Sequence, residues 1–254
     1  MAVEIEKQGH LAIITLNRPE ARNAINGEMA MSMESCLDEF ENDPDLWVGI
    51  LKAEGTVFCA GADLKEIAAG NGAALATKKG GFGGITRRER TKPLIAAITG
   101  TAVAGGCEIS LSCDLIVAST ETVFGLPEVK RSLVAAAGGL FRLPRALGMA
   151  TAMELIMTGD PLPAQRAFDL GMVNKVVLPE EVLGEAKQLA ERIMANAPLA
   201  VQASRNVAAR ALMDDDDALW RASGKGFQSV AGTEDYQEGP RAFIEKRPPV
   251  WKGK

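Results

Sequence analysis

The sequence predicts an α/β fold with an all-helical final part, and three observations carry that reading. "KPLIAAITG" and "CDLIVAST" are short, almost wholly apolar runs of the length and branching expected of strands buried on both faces. Met29, Met33, Cys36, Leu37 and Phe40 recur at helical spacing between two such runs. From about Ala150 the texture turns to helical patterns broken by Gly and Pro.

The elements follow in order. "VEIEKQ" and "LAIITLN" read as a hairpin turning at Gly9. Asn26 can cap the helix that carries Met29 to Phe40. "DPDLWVGILKAEG" is a turn and then a buried strand, Val48 to Lys52. "VFCAGADLKEI" is a strand, a tight turn and a helix opened by Asp63. "KKGGFGGITRRER", glycine-rich and charged, reads as a mobile surface loop of the kind that borders sites. "ATAMELIMTG", "PAQRAFDLG", "EEVLGEAKQLAERIMANAP" and "PLAVQASRNVAARALMD" are helical, with "VNKVVLP" the one strand-like piece among them. No repeat at a solenoid period is visible. The helical part is too thin to bury its own apolar faces, so it is expected to pack on the core or on a neighbouring subunit.

Composition narrows the function classes. A length of 254 residues with 47% hydrophobic content suits a globular core, and a formal charge of −5 argues against a nucleic-acid binder. Four cysteines without a CxxC pair and a single histidine make a metal site unexpected. The start lacks a basic-then-apolar leader and no apolar run reaches membrane length, so a soluble protein of the reducing cytoplasm is expected.

Three stretches carry candidate chemistry. In "AVAGGCEISLS", Gly105 and Gly106 stand where a loop becomes a helix, whose first N–H groups lack partners and carry partial positive charge. An oxygen gaining negative charge would be stabilised there, and glycine permits its close approach. Glu108 lies on the same turn, either as a reactive acid or as a helix-capping residue at the third helical position; the residues alone leave these even. The turn at Ala62 offers a second amide beside a helix start, although taken alone a plain acid cap at Asp63 is the better explanation of it. Glu128, after Pro127, reads by itself as a solvated helix start and gains interest only by pairing with Glu108. The lone His10 reads as a surface residue. "GTAVAGG" lacks the Lys of a phosphate loop, and "GGFGG" lacks the helix and acidic partner of a dinucleotide site.

Taken together, "LNRPEARNAI", "FCAGADL", "AGGCEISLSCD", "FGLPEVK" with "AAAGGLFRLPR", "MTGDPLPAQRAFDLGMVNKVV" and "EGPRAFIEKRPPVWKG" resemble the crotonase (enoyl-CoA hydratase/isomerase) superfamily over nearly the whole chain. The resemblance implies a spiral of ββα units, residues 1–195, with a C-terminal helical part, residues 196–254, that trimerises, often into dimers of trimers. It implies an acyl-CoA thioester substrate, no separate cofactor and no metal. By similarity the amides of Ala62 and Gly105 hold the thioester carbonyl, and Glu108 and Glu128 deliver water across a 2,3 double bond. Arg22, Ala24, Ala60, Asp63 and Leu64 fall at CoA-contacting positions, and Phe243 and Lys246 at positions that close the adenine end. The acyl pocket is expected between Lys65–Arg90 and the C-terminal helices. Two departures stand out: Ala104 where the family commonly has glycine, and Ala136 where many hydratases have the first glycine of the loop after the second acid. The latter region looks closer to the carnitinyl-CoA dehydratase branch; an isomerase, which often uses one acid, is a further alternative.

Overall fold

The computed structural model describes residues 1–254. In chain order the elements are β1 (Val3–Gln8), β2 (Leu11–Leu16), α1 (Gly27–Asn42), β3 (Val48–Ala53), β4 (Val57–Cys59), α2 (Leu64–Ala68), β5 (Ala76–Thr77), β6 (Gly81–Phe82), β7 (Leu94–Ile98), β8 (Thr101–Val103) and α3 (Gly105–Ser110). There follow β9 (Leu115–Ser119), β10 (Val123–Gly125), α4 (Gly139–Leu147), α5 (Met149–Thr158), β11 (Leu162–Pro163), α6 (Ala164–Asp169), β12 (Lys175–Val177), α7 (Val182–Met194), α8 (Pro198–Ala208), α9 (Asp216–Ala231) and α10 (Glu234–Glu245).

The strands fall into two principal sheets, ordered β1-β2-β3-β7-β9-β12 and β11-β10-β8-β4. Three later ββ pairs, β3–β4, β7–β8 and β9–β10, each give their first strand to the larger sheet and their second to the smaller. Thus β3, β7 and β9 lie side by side and parallel, as do β4, β8 and β10. A helix follows each pair, and the unit advances as a spiral. These units begin at Val48, Leu94 and Leu115, so no fixed period marks them in the sequence. Loop insertions hide a repeat that the sheets make plain.

Local chemistry explains the elements. The β1–β2 hairpin turns at Gly9, whose φ of 58° suits glycine. Asn26 caps α1 by accepting the Met29 N–H at 2.9 Å, and Met29, Met33, Cys36, Leu37 and Phe40 are all buried. Every residue of β7 is buried, as a central parallel strand requires. One apolar cluster fills the space between the two sheets and α1; a second lies between the larger sheet and α7. All four cysteines are free thiols.

The segment read as a mobile surface loop is instead packed. Gly81, Gly83, Gly84, Ile85 and Thr86 are buried, and a two-stranded β5–β6 ribbon holds its base. Its glycines let the backbone lie against α1, where a Cβ on Gly84 would overlap the Ala30 carbonyl. The strand β11 was not legible in the sequence; two residues paired to β10 are too short for a periodic signal.

Beyond residue 195 only Pro198, Asp235 and Ala242 are buried. Helix α8 is fastened to the core by Arg205, which donates to Asp114 at 2.7 and 3.0 Å, while Arg90 pairs with the other oxygen of that carboxylate at 3.1 Å. A cleft of about 1590 Å³ opens between α4 and the α8–α9 pair. Trp220, Phe227, Phe243 and Ile244 stand exposed on α9 and α10. No helix is long and apolar enough to cross a membrane.

Candidate active site

Three loops leave the neighbouring strands β4, β8 and β10 at the same end, because those strands are parallel. In parallel sheets the carboxyl ends of strands are where ligands bind. The first loop carries Gly61, Ala62 and Asp63, the second Ala104 and Gly105, and the third Pro127 and Glu128.

The first two loops touch. A Cβ placed on Gly61 would lie 3.0 Å from the Gly105 nitrogen and 2.7 Å from the Ala104 Cβ. Gly61, at φ 95°, is therefore excluded from being any other residue on two counts. Ile25 braces this turn: its N–H donates to the Gly61 carbonyl at 2.8 Å, and its own carbonyl accepts the Asp63 N–H at 2.9 Å. The intervening Ala62 N–H has no backbone acceptor. The Gly105 N–H is the first of α3 and has no partner within the helix. Two amides are thus available on adjoining backbones.

Ala104, just before α3, has φ 52° and ψ −128°, a conformation that favours glycine. Its N–H donates to Gly125 at 2.9 Å, tying the start of α3 to the strand that leads to Glu128. A Cβ on Gly105 would overlap the Phe82 ring, so the packed glycine-rich segment forms the floor beneath this amide.

Glu108 is the fourth residue of α3, not the third, and it caps nothing. Its side chain turns away from the helix start, and Oε1 accepts the Gly139 N–H at 2.9 Å. The residue is buried, 3% exposed. Burial drives its carboxyl up to about 7; the Gly139 and Ala137 amides and the Arg142 charge oppose that rise, and the Glu128 charge adds to it. Glu128 lies in the 3-10 turn Pro127–Arg131, half-buried, and its Oε2 is covered and without a hydrogen-bond partner. Its carboxyl is likewise raised, chiefly by desolvation. Both carboxyls are pushed toward the neutral form by burial, and two such groups in unlike surroundings can serve one as acid and the other as base.

The family model described as enoyl-CoA hydratase/isomerase matches residues 6–254. The chain belongs to the enoyl-CoA hydratase/isomerase family. Within that family it is 40% identical to a short-chain-enoyl-CoA hydratase of Clostridium acetobutylicum over 250 residues, 96% of this chain and 95% of that protein. It is 38% identical to a carnitinyl-CoA dehydratase of Salmonella enteritidis, covering 100% of this chain and 99% of the other. Among solved structures, an enoyl-CoA hydratase from Mycobacterium tuberculosis matches with a TM-score of 0.95 at 44% identity, over 100% of this chain and 99% of that one.

The remaining residues named for the family divide by position. Arg22 is exposed and Ala24 half-buried on the turn after β2, and the Arg22 carbonyl accepts the Ala60 N–H at 3.1 Å, so these two segments are joined. Asp63 commits both carboxylate oxygens to the fold: Oδ1 caps the Lys65 N–H at 3.0 Å and Oδ2 pairs with Arg18 at 2.8 Å. Leu64 is 55% exposed beside them. Phe243 stands exposed on α10, which packs on α9, and nothing in the chain covers its ring; Lys246, also exposed, ends that helix at φ 54°.

Sequence reasoning missed four residues that shape the site: Asn23, Phe82, Gly139 and Arg142. Asn23 is fully buried; it accepts the Arg18 N–H and donates to the carbonyls of Glu54 and Val57. The available signal was an asparagine, a residue that tolerates the left-handed region, in "RPEARN"; in the structure it adopts φ 51°. Gly139 and Arg142 gave none, since their partners lie far away in sequence.

Proposed function

We propose that this protein is an enoyl-CoA hydratase, adding water reversibly across the 2,3 double bond of an enoyl-CoA thioester. The observation that carries the reading is the convergence of two carboxyls, Glu108 and Glu128, and two unpaired amides, Ala62 and Gly105, at the ends of three adjacent parallel strands. The 40% identical short-chain-enoyl-CoA hydratase supports it.

The thioester carbonyl lies between the two amides, which stabilise the enolate oxygen formed during reaction; one such donor is worth about 3 kcal/mol of barrier. Glu108, with amide donors and a cation favouring its charge, takes a proton from water as OH adds to Cβ. Glu128, with a buried oxygen free of partners, holds its proton and gives it to Cα. With Glu128 neutral, the repulsion that adds to the burial-driven rise of Glu108 is removed, so the two roles support one another. Water's H and OH both end on the substrate, and the proton count of the pair is unchanged.

CoA lies along Arg22, Ala24, Ala60, Asp63 and Leu64, with Asp63 acting through the fold of the turn. Phe243 and Lys246 close the adenine end of a neighbouring subunit in a homotrimer or dimer of trimers, a role that their exposure permits. Residues 1–195 form the catalytic core and 196–254 the assembling part. The four free thiols fit a reducing cytoplasm. A carnitinyl-CoA dehydratase-like activity is the second reading, favoured by Ala136 in the loop that presents Gly139.

Purified protein should remove the conjugated absorbance of crotonyl-CoA. Binding of CoA thioesters without hydration of any enoyl-CoA, and without dehydration of a 3-hydroxyacyl-CoA or carnitinyl-CoA, would overturn both readings.

A further inference from the structure

One side chain connects the loop that anchors Glu108 to the segment that backs Gly105. Arg142, on the first turn of α4, is half-buried between them. Its Nη2 donates to the Thr86 carbonyl at 2.6 Å, and its Nη1 donates to the Ala137 carbonyl at 3.3 Å. Thr86 belongs to the packed segment whose Phe82 ring lies on Gly105. Ala137 belongs to the loop whose Gly139 N–H holds Glu108 Oε1 at 2.9 Å. Between them Gly138, at φ 111°, leaves the space that the guanidinium occupies; a Cβ there would overlap Nη1.

We propose that Arg142 is a positioning residue for the reaction: by bridging these two carbonyls it fixes the Gly139 amide against Glu108. This rests on the hydratase reading for its catalytic consequence but not for its structural one. A neutral side chain could fill the same space, and only a fork with separate donors reaches two carbonyls on different loops. The charge matters too, because the ionisable groups bearing on Glu108 are few: Glu128 from the turn after β10, Arg142 from α4 and the buried Cys107 thiol on α3 itself. Of these Arg142 alone is positive. Removing it leaves Glu108 facing only a second carboxyl and a thiol, so its proton should be held more tightly. Arg142 in turn faces Arg90 and Arg145, which repel it, and Glu108, which retains it.

The test follows the Glu108 carboxyl directly and turnover separately. Infrared difference spectra between the intact protein and its Glu108→Gln variant give the protonated carboxyl band as a function of pH, with no substrate present. In Arg142→Gln that titration should move upward by about one pH unit, and kcat should fall by roughly 10- to 100-fold with KM within a few-fold. Arg142→Lys should recover part of each, since it restores charge but reaches one carbonyl. Arg145→Gln, one turn along α4 and stacked on Phe141, should leave both unchanged. An unmoved Glu108 titration in folded Arg142→Gln would overturn the proposal. If that variant fails to fold, an unmoved titration in Arg142→Lys decides the same way. A shifted titration in a protein that hydrates no enoyl-CoA would keep Arg142's role and remove the hydratase reading instead.

Discussion

The Gly139 amide donates to Glu108 Oε1 at 2.9 Å across 31 residues of sequence, and this contact holds a buried carboxylate where no capping role requires it. Glu108 is oriented from outside its own helix, and Gly139 is close enough that a Cβ there would sit 3.1 Å from the same oxygen.

Glu108→Gln and Glu128→Gln should each lower hydration of crotonyl-CoA by 10²- to 10⁴-fold or so, the usual worth of a positioned acid or base. Affinity for a saturated acyl-CoA, measured by calorimetry, should change little. Full turnover in either variant would remove that residue from the mechanism.

The pH dependence has a defined sign. Glu108 sits near 7 when folded, above its ordinary 4.5. Below pH 4.5 it is protonated in both states and its full contribution to stability is present; that contribution is lost as pH rises through 7. Glu108→Gln keeps an acceptor for Gly139 without the charge, so by thermal melts it should be more stable than the parent at pH 8, by up to about 3 kcal/mol, and alike at pH 4. The rate should move oppositely, rising with pH as Glu108 ionises, with its acidic limb near neutrality. A limb near 4.5 would show that Glu108 ionises at its ordinary value in the working enzyme and that burial does not raise it.

Ala104→Gly should leave the protein as stable or slightly more so. The conformation at φ 52° and ψ −128° costs an alanine on the order of 1–3 kcal/mol, against about 0.4–1 kcal/mol for the added freedom of the unfolded chain. Gly61→Ala is the contrasting change: its Cβ meets Ala104 and Gly105, so hydration should collapse with the amide pair displaced. Thermal melts and steady-state rates of the two variants separate them.

Asp114→Ala should loosen α8 from the core. It strands Arg90, whose side chain is 3% exposed, and Arg205, so a loss of about 3–5 kcal/mol is expected. Hydrogen exchange should rise first in α8 and α9, whereas uniform exchange throughout would show that the helical part is held otherwise.

Much of this molecule was legible one element at a time. The period of Met29 to Phe40, the Asn26 cap and the Gly9 turn each announce themselves within a few residues. The two glutamates and the two amide turns were visible as motifs for the same reason. The glycine-rich segment at 78–90 was misread because glycine and charge mark an exposed loop as readily as a backbone pressed close to a helix. Phe82 acquires its role only from what lies opposite it.

Local periodicity and turn chemistry are written in neighbouring residues, so the sequence by itself determined the longer strands, most helices up to α8 and the separate presence of acids and donors, but not β5, β6, β11, α9 or α10. Only the tertiary structure decided that β4, β8 and β10 lie side by side and parallel, which brings Ala62, Gly105 and Glu128 to one end. Strand neighbourhood across a crossover depends on how buried faces stack, and no short window of residues records it.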